Sequence, residues 1–334
     1  MNRSFNRLPR RRLQSALLGL AAAAAAAFLL PAAAQDFPPK KQVTMVVGFA
    51  AGGGADTAAR LIAKKLGENI GQSVVVDNRA GAGGNIAHQY VAGAPTDGSV
   101  ILLGSIGPLS IAPHLMKLPY DPVKDLAPIT MGLNFPNVLV VDPGLKVKTL
   151  AEFIEAAKKK PGGLDFASTG AGSASHLAGE LFNQRAGVEI VHVPYKGGAP
   201  AMVDLLGGRV ASYYAVPSTA APYIETGKVV ALATTGPTRA PSLPNVPTIA
   251  ESGFPGFAAT NWYAFVAPGK TPAPILDGWN KEIVRVLNNP EMREQLEKHG
   301  LTPMPGTRDE LARYIASEST VWGKVVRERK ITAE

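Results

Sequence analysis

The glycine triplet Gly52-Gly53-Gly54 is the stretch whose residue types and position best suit ligand chemistry. It follows an apolar run, and Asp56 and Thr57 then open a helical pattern. Where a parallel strand ends and a helix begins, unpaired N–H groups and the helix dipole favour an anion. Glycines let that anion approach without side chains in the way. The triplet predicts an anion contact through backbone donors, with a tight turn that needs positive φ as the alternative.

The triplet does not match the glycine motifs that bind nucleotides. Its spacing is not G-x-G-x-x-G. A G-x-x-x-x-G-K-[ST] loop is also missing from the sequence. The expected anion is therefore not a nucleotide phosphate.

A second loop of the same kind lies at 164–182. A short strand ends in two hydroxyl residues, a glycine turn follows, and a serine is placed to cap a helix. Hydroxyls and free amides converge there, so this loop is predicted to be a second ligand-binding site of the same type, while simple capping is the alternative for the serine. The groups expected to bind are Ser168, Thr169, Gly170, Gly172 and Ser173.

Two further loops have weaker signals. The segment 192–209 again runs strand, glycine pair, helix, and its Tyr195 is a candidate to pack on a ligand. Lys196 offers a positive charge there, with a solvated surface position as the alternative. Ser105 follows another apolar run and is the fourth candidate loop residue.

Catalysis is not supported by the spacing of nucleophiles and bases. An enzyme needs a nucleophile, a base and an orienting group within reach. The five histidines show no H-E-x-x-H spacing, and no serine lies in a G-x-S-x-G elbow. The best pair is Ser173 and His176, one helical turn apart, and this spacing directs the imidazole along the helix. We expect no enzyme, with a secreted hydrolase using this pair as a distant alternative.

The N-terminal residues 1–34 predict an exported protein. Five arginines and no acid precede an apolar run that ends in small residues before Gln35, which is typical of a signal peptide cleaved after about Ala34. A membrane anchor is the alternative, and the choice between general secretion and twin-arginine export stays open. Cleavage lowers the formal net charge from +8 to +3, so no nucleic-acid partner is expected. The periplasm is the expected location.

Cysteine is absent from all 334 residues. This excludes a disulfide framework, a thiolate nucleophile, a cysteine-ligated metal and a lipoprotein cleavage site. We expect neither a metal nor a cofactor.

The elements that must position these loops alternate between strands and helices. Thr149 with Glu152 and Thr307 with Glu310 form capping boxes at two helix starts. The alternation predicts an α/β fold, mixed but mainly parallel, with right-handed crossovers. Strands are expected at 42–49, 73–78, 99–104, 137–142, 188–195 and 228–235.

The chain is expected to form two lobes. Segments 107–136 and 236–261 are rich in proline and glycine and are reasonable places for the chain to cross between lobes. The expected division is 35–136 plus 260–334 for lobe 1 and 137–259 for lobe 2.

The ordered motifs resemble the Bug family, the receptors of tripartite tricarboxylate transporters. They are "VVGFAAGGGADTAARLIAKKL", "VVVDNRAGAGGNIA", "TDGSVILLGS", "FASTGAGSASHLAGELF", "VPYKGGAPAMVDLLGGRV" and "GPTRAPSLPNVPTIAESGFPGF". The resemblance spans about 42 to 330 and implies a type II periplasmic binding protein with a ligand between two α/β lobes. It also implies that backbone N–H groups, hydroxyls and waters from both lobes hold one ligand carboxylate.

Carried over to this sequence, the resemblance places the carboxylate on two segments. They are Ala51 to Gly54, with Phe49, Ala50, Asp56 and Thr57 nearby, and Ser168 to Ser173. Relatives often have Pro before the Phe, where this chain has Gly48, and Ser or Thr near the triplet, where this chain has Gly54-Ala55. Only backbone contacts are therefore expected from residues 54 and 55. The candidates for the variable pocket walls are Phe135, Tyr213, Tyr214, Ser218, Trp262 and Tyr263.

The resemblance implies a receptor that captures a small carboxylate and delivers it to membrane permease subunits. A di- or tricarboxylate, an amino acid and an aromatic acid all remain open as ligands. An orphan receptor that presents its ligand to a sensor is the alternative. A monomer is expected.

Overall fold

We describe the fold from a computed structural model over residues 37–332. The predicted signal peptide lies outside the described residues. Within them, no helix is both long and apolar enough to cross a membrane.

Eleven strands and nine longer helices make up the described chain. The strands are β1 (Val43–Val47), β2 (Val74–Asn78), β3 (Val100–Ser105), β4 (Leu126–Pro136), β5 (Val138–Val141), β6 (Leu164–Ser168), β7 (Ile190–Pro194), β8 (Ser212–Ala215), β9 (Val230–Thr234), β10 (Thr260–Pro268) and β11 (Thr302–Pro303). The helices are α1 (Gly54–Ile70), α2 (Asn85–Ala92), α3 (Leu150–Lys159), α4 (Ala174–Ala186), α5 (Gly198–Leu206), α6 (Pro217–Glu225), α7 (Ala273–Leu287), α8 (Pro290–Lys298) and α9 (Arg308–Arg329).

The strands form two sheets, each the centre of one lobe. The six-stranded sheet of the first lobe has the order β11-β4-β10-β3-β1-β2, and the five-stranded sheet of the second has the order β7-β6-β8-β5-β9. The two-lobed α/β fold is therefore confirmed. The residue limits of the lobes stay a prediction.

Antiparallel pairing is more extensive than the expected mainly parallel arrangement. Strand β10 pairs antiparallel with β3 and β4, and β5 pairs antiparallel with β8 and β9. The reason is that β4, β5 and β10 belong to the chain crossings between lobes, where strands enter a sheet directly rather than through a βαβ crossover. Parallel pairing is kept where helices connect the strands, as between β1, β2 and β3 and between β6, β7 and β8.

The first lobe is held by an apolar core between its sheet and helices α1 and α7. Ile62 of α1, Phe265 of β10 and Trp279 of α7 are fully buried in it. The indole N–H of Trp279 donates to the Gly98 carbonyl at 3.0 Å, which satisfies its one polar atom. This core fixes the strand ends from which the cleft loops begin.

The second lobe buries both faces of its sheet. Phe166, Phe182 and Tyr214 pack on one face, and Met202 and Tyr213 pack on the other. Helices on both faces are the usual consequence of parallel strands joined by crossovers. The loop after β6 is thereby held at the sheet edge that faces the first lobe.

Both predicted capping boxes are present. Thr149 accepts from the Glu152 amide and begins α3, and Thr307 accepts from the Glu310 amide and begins α9. In each case the glutamate side chain returns to the backbone N–H of the threonine, so two amide donors at the helix start are satisfied.

Candidate functional site

A small cavity of about 10 Å³ lies between the two lobes, and we call it the interlobe cavity. Its volume is at the lower limit for one water molecule. From β1, β3, β10 and the turn after β3 it is lined by Phe49, Ser105, Ile106, Gly107, Asn261 and Tyr263. From the crossing and the second lobe it is lined by Asn137, Thr169, Ser173, Ala174, Ser175 and Val216.

The second-lobe wall of the cavity is the N-terminus of α4. Ser173 caps this helix and accepts from the His176 amide at 3.3 Å. The amides of Ala174 and Ser175 precede the first intrahelical hydrogen bond, which runs from Leu177 to Ser173. Both residues line the cavity, so free N–H groups and the positive end of the helix dipole meet there.

Three hydroxyls surround these amides. The Ser175 hydroxyl lies 3.1 Å from the Thr169 hydroxyl and 3.0 Å from the Ser173 hydroxyl, and it accepts from the Thr169 amide at 2.9 Å. Hydroxyls and amides in this arrangement can donate to an anion without a cationic side chain.

Two histidines support the loop from below: His176 is buried and His192 is partly buried. The Ser168 hydroxyl accepts from the Gly170 amide at 3.0 Å and forms a hydrogen bond of 2.6 Å with His192 Nε2. The Gly172 amide donates to His176 Nδ1 at 3.2 Å, and the two imidazoles stack with centroids 4.0 Å apart.

Both imidazoles are held neutral. Burial lowers the pKa of His176 to about 4, and burial together with the neighbouring His176 lowers the pKa of His192 to about 3. A neutral His176 keeps the lone pair on Nδ1 that accepts from the Gly172 amide, and protonation at Nδ1 would remove this acceptor.

This geometry contradicts the hydrolase alternative. The Ser173 hydroxyl accepts a hydrogen bond from the backbone N–H of His176. The His176 imidazole accepts from the Gly172 amide through Nδ1, and its Nε2 lies 4.0 Å from the Glu180 carboxylate. The ring is thus not placed to take a proton from Ser173. The close Ser–His contact is Ser168 with His192, which the sequence analysis missed, and Ser168 is fully buried without access to a substrate.

The glycine triplet faces the second lobe. The Gly54 amide donates to the Thr219 hydroxyl at 3.0 Å, and the Ala50 amide donates to the Lys196 carbonyl at 3.0 Å. The Gly52 amide donates to the Asp56 carboxylate at 2.9 Å. Amides expected to bind an anion are therefore engaged with the protein in this closed arrangement.

Close approach of the lobes explains why glycine is needed at 54. A Cβ at that position would lie 2.5 Å from Ser218 Oγ and 2.6 Å from Val216 Cγ1, which is closer than real Cβ contacts. Gly83 and Ala171 make a second contact of this type, between the loop before α2 and the loop before α4. The glycine-rich loops of the two lobes thus meet around the cavity.

The Asp56 carboxylate fixes the triplet from within the first lobe. It accepts from Gly52 and, at 2.9 Å, from Arg60 Nε. Burial alone would raise the pKa of Asp56, but hydrogen bonds from Arg60, Gly52 and Asn78 outweigh it and lower the pKa below its ordinary value. Thr57 bonds back to Gly53 through its hydroxyl at 3.2 Å.

Three buried polar side chains form the other wall of the cavity. Asn137 follows β4 and Asn261 lies in β10, and the Asn261 amide donates to the Asn137 side-chain oxygen at 3.3 Å. Three side-chain atoms are buried and have no hydrogen-bond partner in the described part of the chain: Asn137 Nδ2, Asn261 Oδ1 and Ser105 Oγ. The Ser105 amide donates to His88 Nε2 at 3.4 Å, and burial lowers the pKa of His88 to about 4 despite its bond to the Gly84 carbonyl.

The lobe crossing places the two asparagines side by side. The backbone N–H of Asn137 donates to the Thr235 hydroxyl at 2.9 Å. The backbone carbonyl of Asn137 accepts from the Thr235 backbone N–H, also at 2.9 Å. The Thr235 hydroxyl donates to Ala259 at 2.7 Å, which ties the outgoing and returning crossings together. Sequence reasoning missed Asn137, Asn261 and Ser175, although an asparagine at the start of a buried strand was a usable signal.

Of the predicted site residues, the structure brings four to the cavity lining. They are Phe49, Ser105, Thr169 and Ser173. Ala50, Gly54 and Ser218 lie at the lobe contact, and Ala51 and Gly53 belong to the same segment. Ser168, Gly170 and Gly172 shape the loop that presents Ser173.

Other candidates lie away from the cavity. The Tyr195 hydroxyl donates to Asp204 at 2.7 Å, and Lys196 contributes its carbonyl. Tyr214 packs against Phe166 and Phe182 in the core of the second lobe. Among the aromatic residues expected in the pocket walls, Tyr263 lines the cavity, and the ring centroid of Phe135 lies 4.8 Å from that of Tyr263. The indole N–H of Trp262 donates to Glu318 instead.

The cavity is lined by polar and apolar residues, and none of them carries a charge. None of its twelve residues is an acid, a base or a histidine. Across residues 37–332, no group of three or more acidic or histidine side chains is placed to hold a metal ion. A larger groove of about 680 Å³ lies along α9, but it involves the first lobe only.

The fold and the interlobe cavity define a two-lobed solute-binding protein of the type II periplasmic class. The sequence profile described as "Tripartite tricarboxylate transporter family receptor" matches residues 58–331, and the chain belongs to this family. It is 40% identical over 275 residues to the protein BugT of Bordetella pertussis, covering 82% of this chain and 84% of that protein. The receptors of this family are periplasmic and bind solutes. The expected membership in the Bug family and the expected absence of enzymatic function are therefore confirmed.

Two solved structures with ligands are similar to this chain. Rpa4515 of R. palustris with adipate is 38% identical at a TM-score of 0.85, over 89% of this chain and 99% of that one. MatC (Rpa3494) from Rhodopseudomonas palustris with bound malate is 34% identical at a TM-score of 0.82, over 86% and 99%.

Proposed function

We propose that the protein captures a small carboxylate in the interlobe cavity and delivers it to the membrane permease of a tripartite transporter. The observation that carries the proposal is the N-terminus of α4, where the Ala174 and Ser175 amides and the hydroxyls of Thr169, Ser173 and Ser175 meet in one uncharged cavity. Hydrogen bonds to a charged group contribute about 1.5–3 kcal/mol each, so several donors can hold a carboxylate without arginine. The adipate and malate bound by the two similar receptors support this ligand class.

Binding requires the lobes to separate first. The closed cavity of about 10 Å³ is far smaller than a dicarboxylate, and loops of both lobes meet around it. Hinge motion about the crossings at 136–138 and 259–261 is the usual route by which two-lobed receptors admit and enclose a ligand. As the lobes open, Gly54 and Ala50 release their second-lobe acceptors, and their amides become free for a ligand or water.

The same proposal covers the cellular setting. We infer export by the N-terminal segment, cleavage after about Ala34, and a mature monomer in the periplasm with lobes divided at 136/137 and 259/260. A sensor in place of the permease is the alternative partner. Loss of uptake of the labelled acid in a deletion strain supports a permease, whereas intact uptake with a lost regulatory response supports a sensor.

A thermal-shift screen tests the ligand class directly. Mono-, di- and aromatic carboxylates are compared with neutral sugars and amines of similar size. A carboxylate at a hundred times its dissociation constant should stabilise the protein by roughly 2.7 kcal/mol. If only a sugar or an amine raises the melting temperature, the proposal fails.

Variants locate the site. Ser175→Ala removes the hydroxyl that joins Thr169 and Ser173, and we expect affinity for the best acid to fall about ten- to a hundredfold. Ser252→Ala is the matched control, because Ser252 donates to the Thr248 carbonyl at 2.8 Å outside the cavity lining. Equal affinity of both variants would remove the Ser175 hydroxyl from the site.

A further inference from the structure

The asparagine pair at the lobe crossing is unusual because it is buried and only half satisfied. Asn137 is fully buried and Asn261 is 7% exposed, and both line the interlobe cavity. One hydrogen bond of 3.3 Å joins their side chains, and it leaves Asn137 Nδ2 and Asn261 Oδ1 without a partner among the described residues. An unmade hydrogen bond of this kind is costly, so a buried half-satisfied pair indicates groups that a ligand completes.

The chemical character of the pair does not depend on how the amides are oriented. In the orientation described, Asn137 offers an N–H donor and Asn261 offers a carbonyl acceptor. If both amides are turned over, Asn137 offers the acceptor and Asn261 the donor. Turning only one places two like atoms against each other. In either bonded arrangement the pair presents one donor and one acceptor side by side.

The Ser105 hydroxyl adds a third group of the same kind. It is 3% exposed, lines the same cavity, and its oxygen has no partner within residues 37–332. A hydroxyl both donates and accepts, and no charged side chain lines the cavity. This wall therefore matches a neutral group that also donates and accepts.

We propose that Asn137, Asn261 and Ser105 form a specificity subsite for a hydroxyl or carboxamide on the bound acid. This inference rests on the proposed carboxylate function, with the carboxylate at the N-terminus of α4. A hydroxyl or carboxamide completes the donor and the acceptor together. An ionised second carboxylate only accepts, so it leaves an asparagine oxygen unpaired and facing negative charge, and an alkyl group leaves all three groups unpaired.

The test compares acids that differ only in their second group. Titration calorimetry at neutral pH measures four acids at each of several short chain lengths: the plain fatty acid, the hydroxy acid, the acid amide and the dicarboxylate. We expect the hydroxy acid or the acid amide to bind at least about tenfold more tightly than the plain acid and the dicarboxylate of equal length, since sites with buried polar groups reject analogues that leave them unpaired.

Variants of the pair should remove this preference while acid binding remains. Asn137→Leu and Asn261→Leu keep the approximate side-chain size, and we expect the ratio between hydroxy acid and plain acid to fall to near one. Asn183→Leu is the matched control, because Asn183 is also an asparagine with a buried unpaired oxygen, but it lies on α4 outside the cavity lining. If the leucine variants do not fold, Ser105→Ala should still reduce the preference severalfold.

The outcomes separate the two proposals. Dicarboxylates or plain acids that bind as well as the hydroxy acids and acid amides, with a ratio unchanged in the variants, would overturn the subsite and leave carboxylate binding intact. Failure of every acid in the series to bind would overturn the proposed function itself.

Discussion

The backbone amide of Gly54 donates to the hydroxyl of Thr219 at 3.0 Å and so joins the first turns of two helices from different lobes. Gly54 begins α1 in the first lobe, and Thr219 lies in α6 of the second. The bond satisfies one of the amide donors that a helix N-terminus leaves open. The sequence suggested that the backbone N–H of Gly54 binds an anion. In the closed arrangement this N–H instead makes a contact between the lobes.

Replacing Gly54 with alanine should hinder closure and leave the first lobe folded. The new Cβ would lie 2.5 Å from Ser218 Oγ and 2.6 Å from Val216 Cγ1, both in the second lobe. Alanine favours helix more than glycine does, so α1 itself is not weakened. We expect at least about tenfold weaker binding of the best acid and a larger radius of gyration in solution scattering with ligand present.

Gly93→Ala is the control for this prediction. Gly93 ends α2 with negative φ, and the nearest atom to its added Cβ is 3.9 Å away. We expect its affinity and radius of gyration to match those of the parent. A Gly54→Ala protein that closes and binds like the parent would show that the lobes do not need this close approach.

Two fully buried histidines predict lower stability in mild acid. Burial lowers the pKa of His88 and of His176 to about 4, against about 6.5 in an unfolded chain. Between these values the unfolded state binds protons that the folded state does not, so stability falls as pH drops from about 6.5 to 4. The slope is up to about 1.4 kcal/mol per pH unit for each histidine, and the loss levels off below about pH 4.

Urea unfolding at several pH values between 7.5 and 4.5 measures this slope. His176→Asn places an amide oxygen close to the acceptor that Gly172 uses, and it removes one titrating group. We expect its free energy of unfolding to vary less with pH, by about one proton's contribution. An unchanged slope in this variant would contradict the assignment of a neutral buried His176.

Many elements of the fold could be predicted from local sequence, but the cavity could not. The apolar runs at 73–78 and 99–104 correspond to β2 and β3. Strand β3 is buried throughout, as its apolar sequence predicts, whereas β2 is a partly exposed strand at the sheet edge. Strand β4, at Leu126–Pro136, was missed inside a segment interpreted as a loop crossing. Its prolines and glycine obscure the pattern, and its pairing with β10 is irregular in register.

The second-lobe half of the site followed from sequence because its chemistry is local. Ser173 caps α4 and accepts from the backbone N–H of His176, three residues later in the sequence, so this contact can be predicted from sequence spacing alone. The Asn137–Asn261 contact joins residues 124 positions apart, and it depends on two crossings that no local pattern brings together. The same holds for Gly54, whose partner Thr219 is 165 positions away.

Removing the Asp56 carboxylate should loosen the triplet. Its oxygen accepts from the Gly52 amide and from Arg60, and the side chain is 6% exposed. Asp56→Ala leaves the Gly52 amide and the guanidinium without this acceptor, and we expect a loss of about 1–3 kcal/mol in the free energy of unfolding. Chemical denaturation at neutral pH measures it.

Acid should weaken the same contact in the parent protein. Because the pKa of Asp56 is lowered in the fold, its contribution is present above the ordinary carboxyl pKa and is lost as pH falls below it. Asp277→Ala is the control, since Asp277 pairs with Arg308 but is 66% exposed, and exposed ion pairs contribute at most about 1 kcal/mol. Equal losses for the two variants would contradict a structural role for Asp56 in holding the triplet.

The contact between Ser168 and His192 should control ligand affinity through the shape of the loop. Ser168→Ala removes the acceptor of the Gly170 amide and the hydrogen-bond partner of His192 Nε2, yet Ser168 is not part of the cavity lining. Because Gly170 and Gly172 set the position of Ser173, we expect the variant to bind the best acid about tenfold more weakly and to lose about 1–2 kcal/mol of stability. Ser168→Thr keeps a hydroxyl and should restore part of the affinity, whereas Ser168→Val, which fills the same space without a hydroxyl, should not. Calorimetry on these variants gives the affinities, and equal affinities for Ser168→Ala and the parent would show that the loop holds its shape without the histidine beneath it.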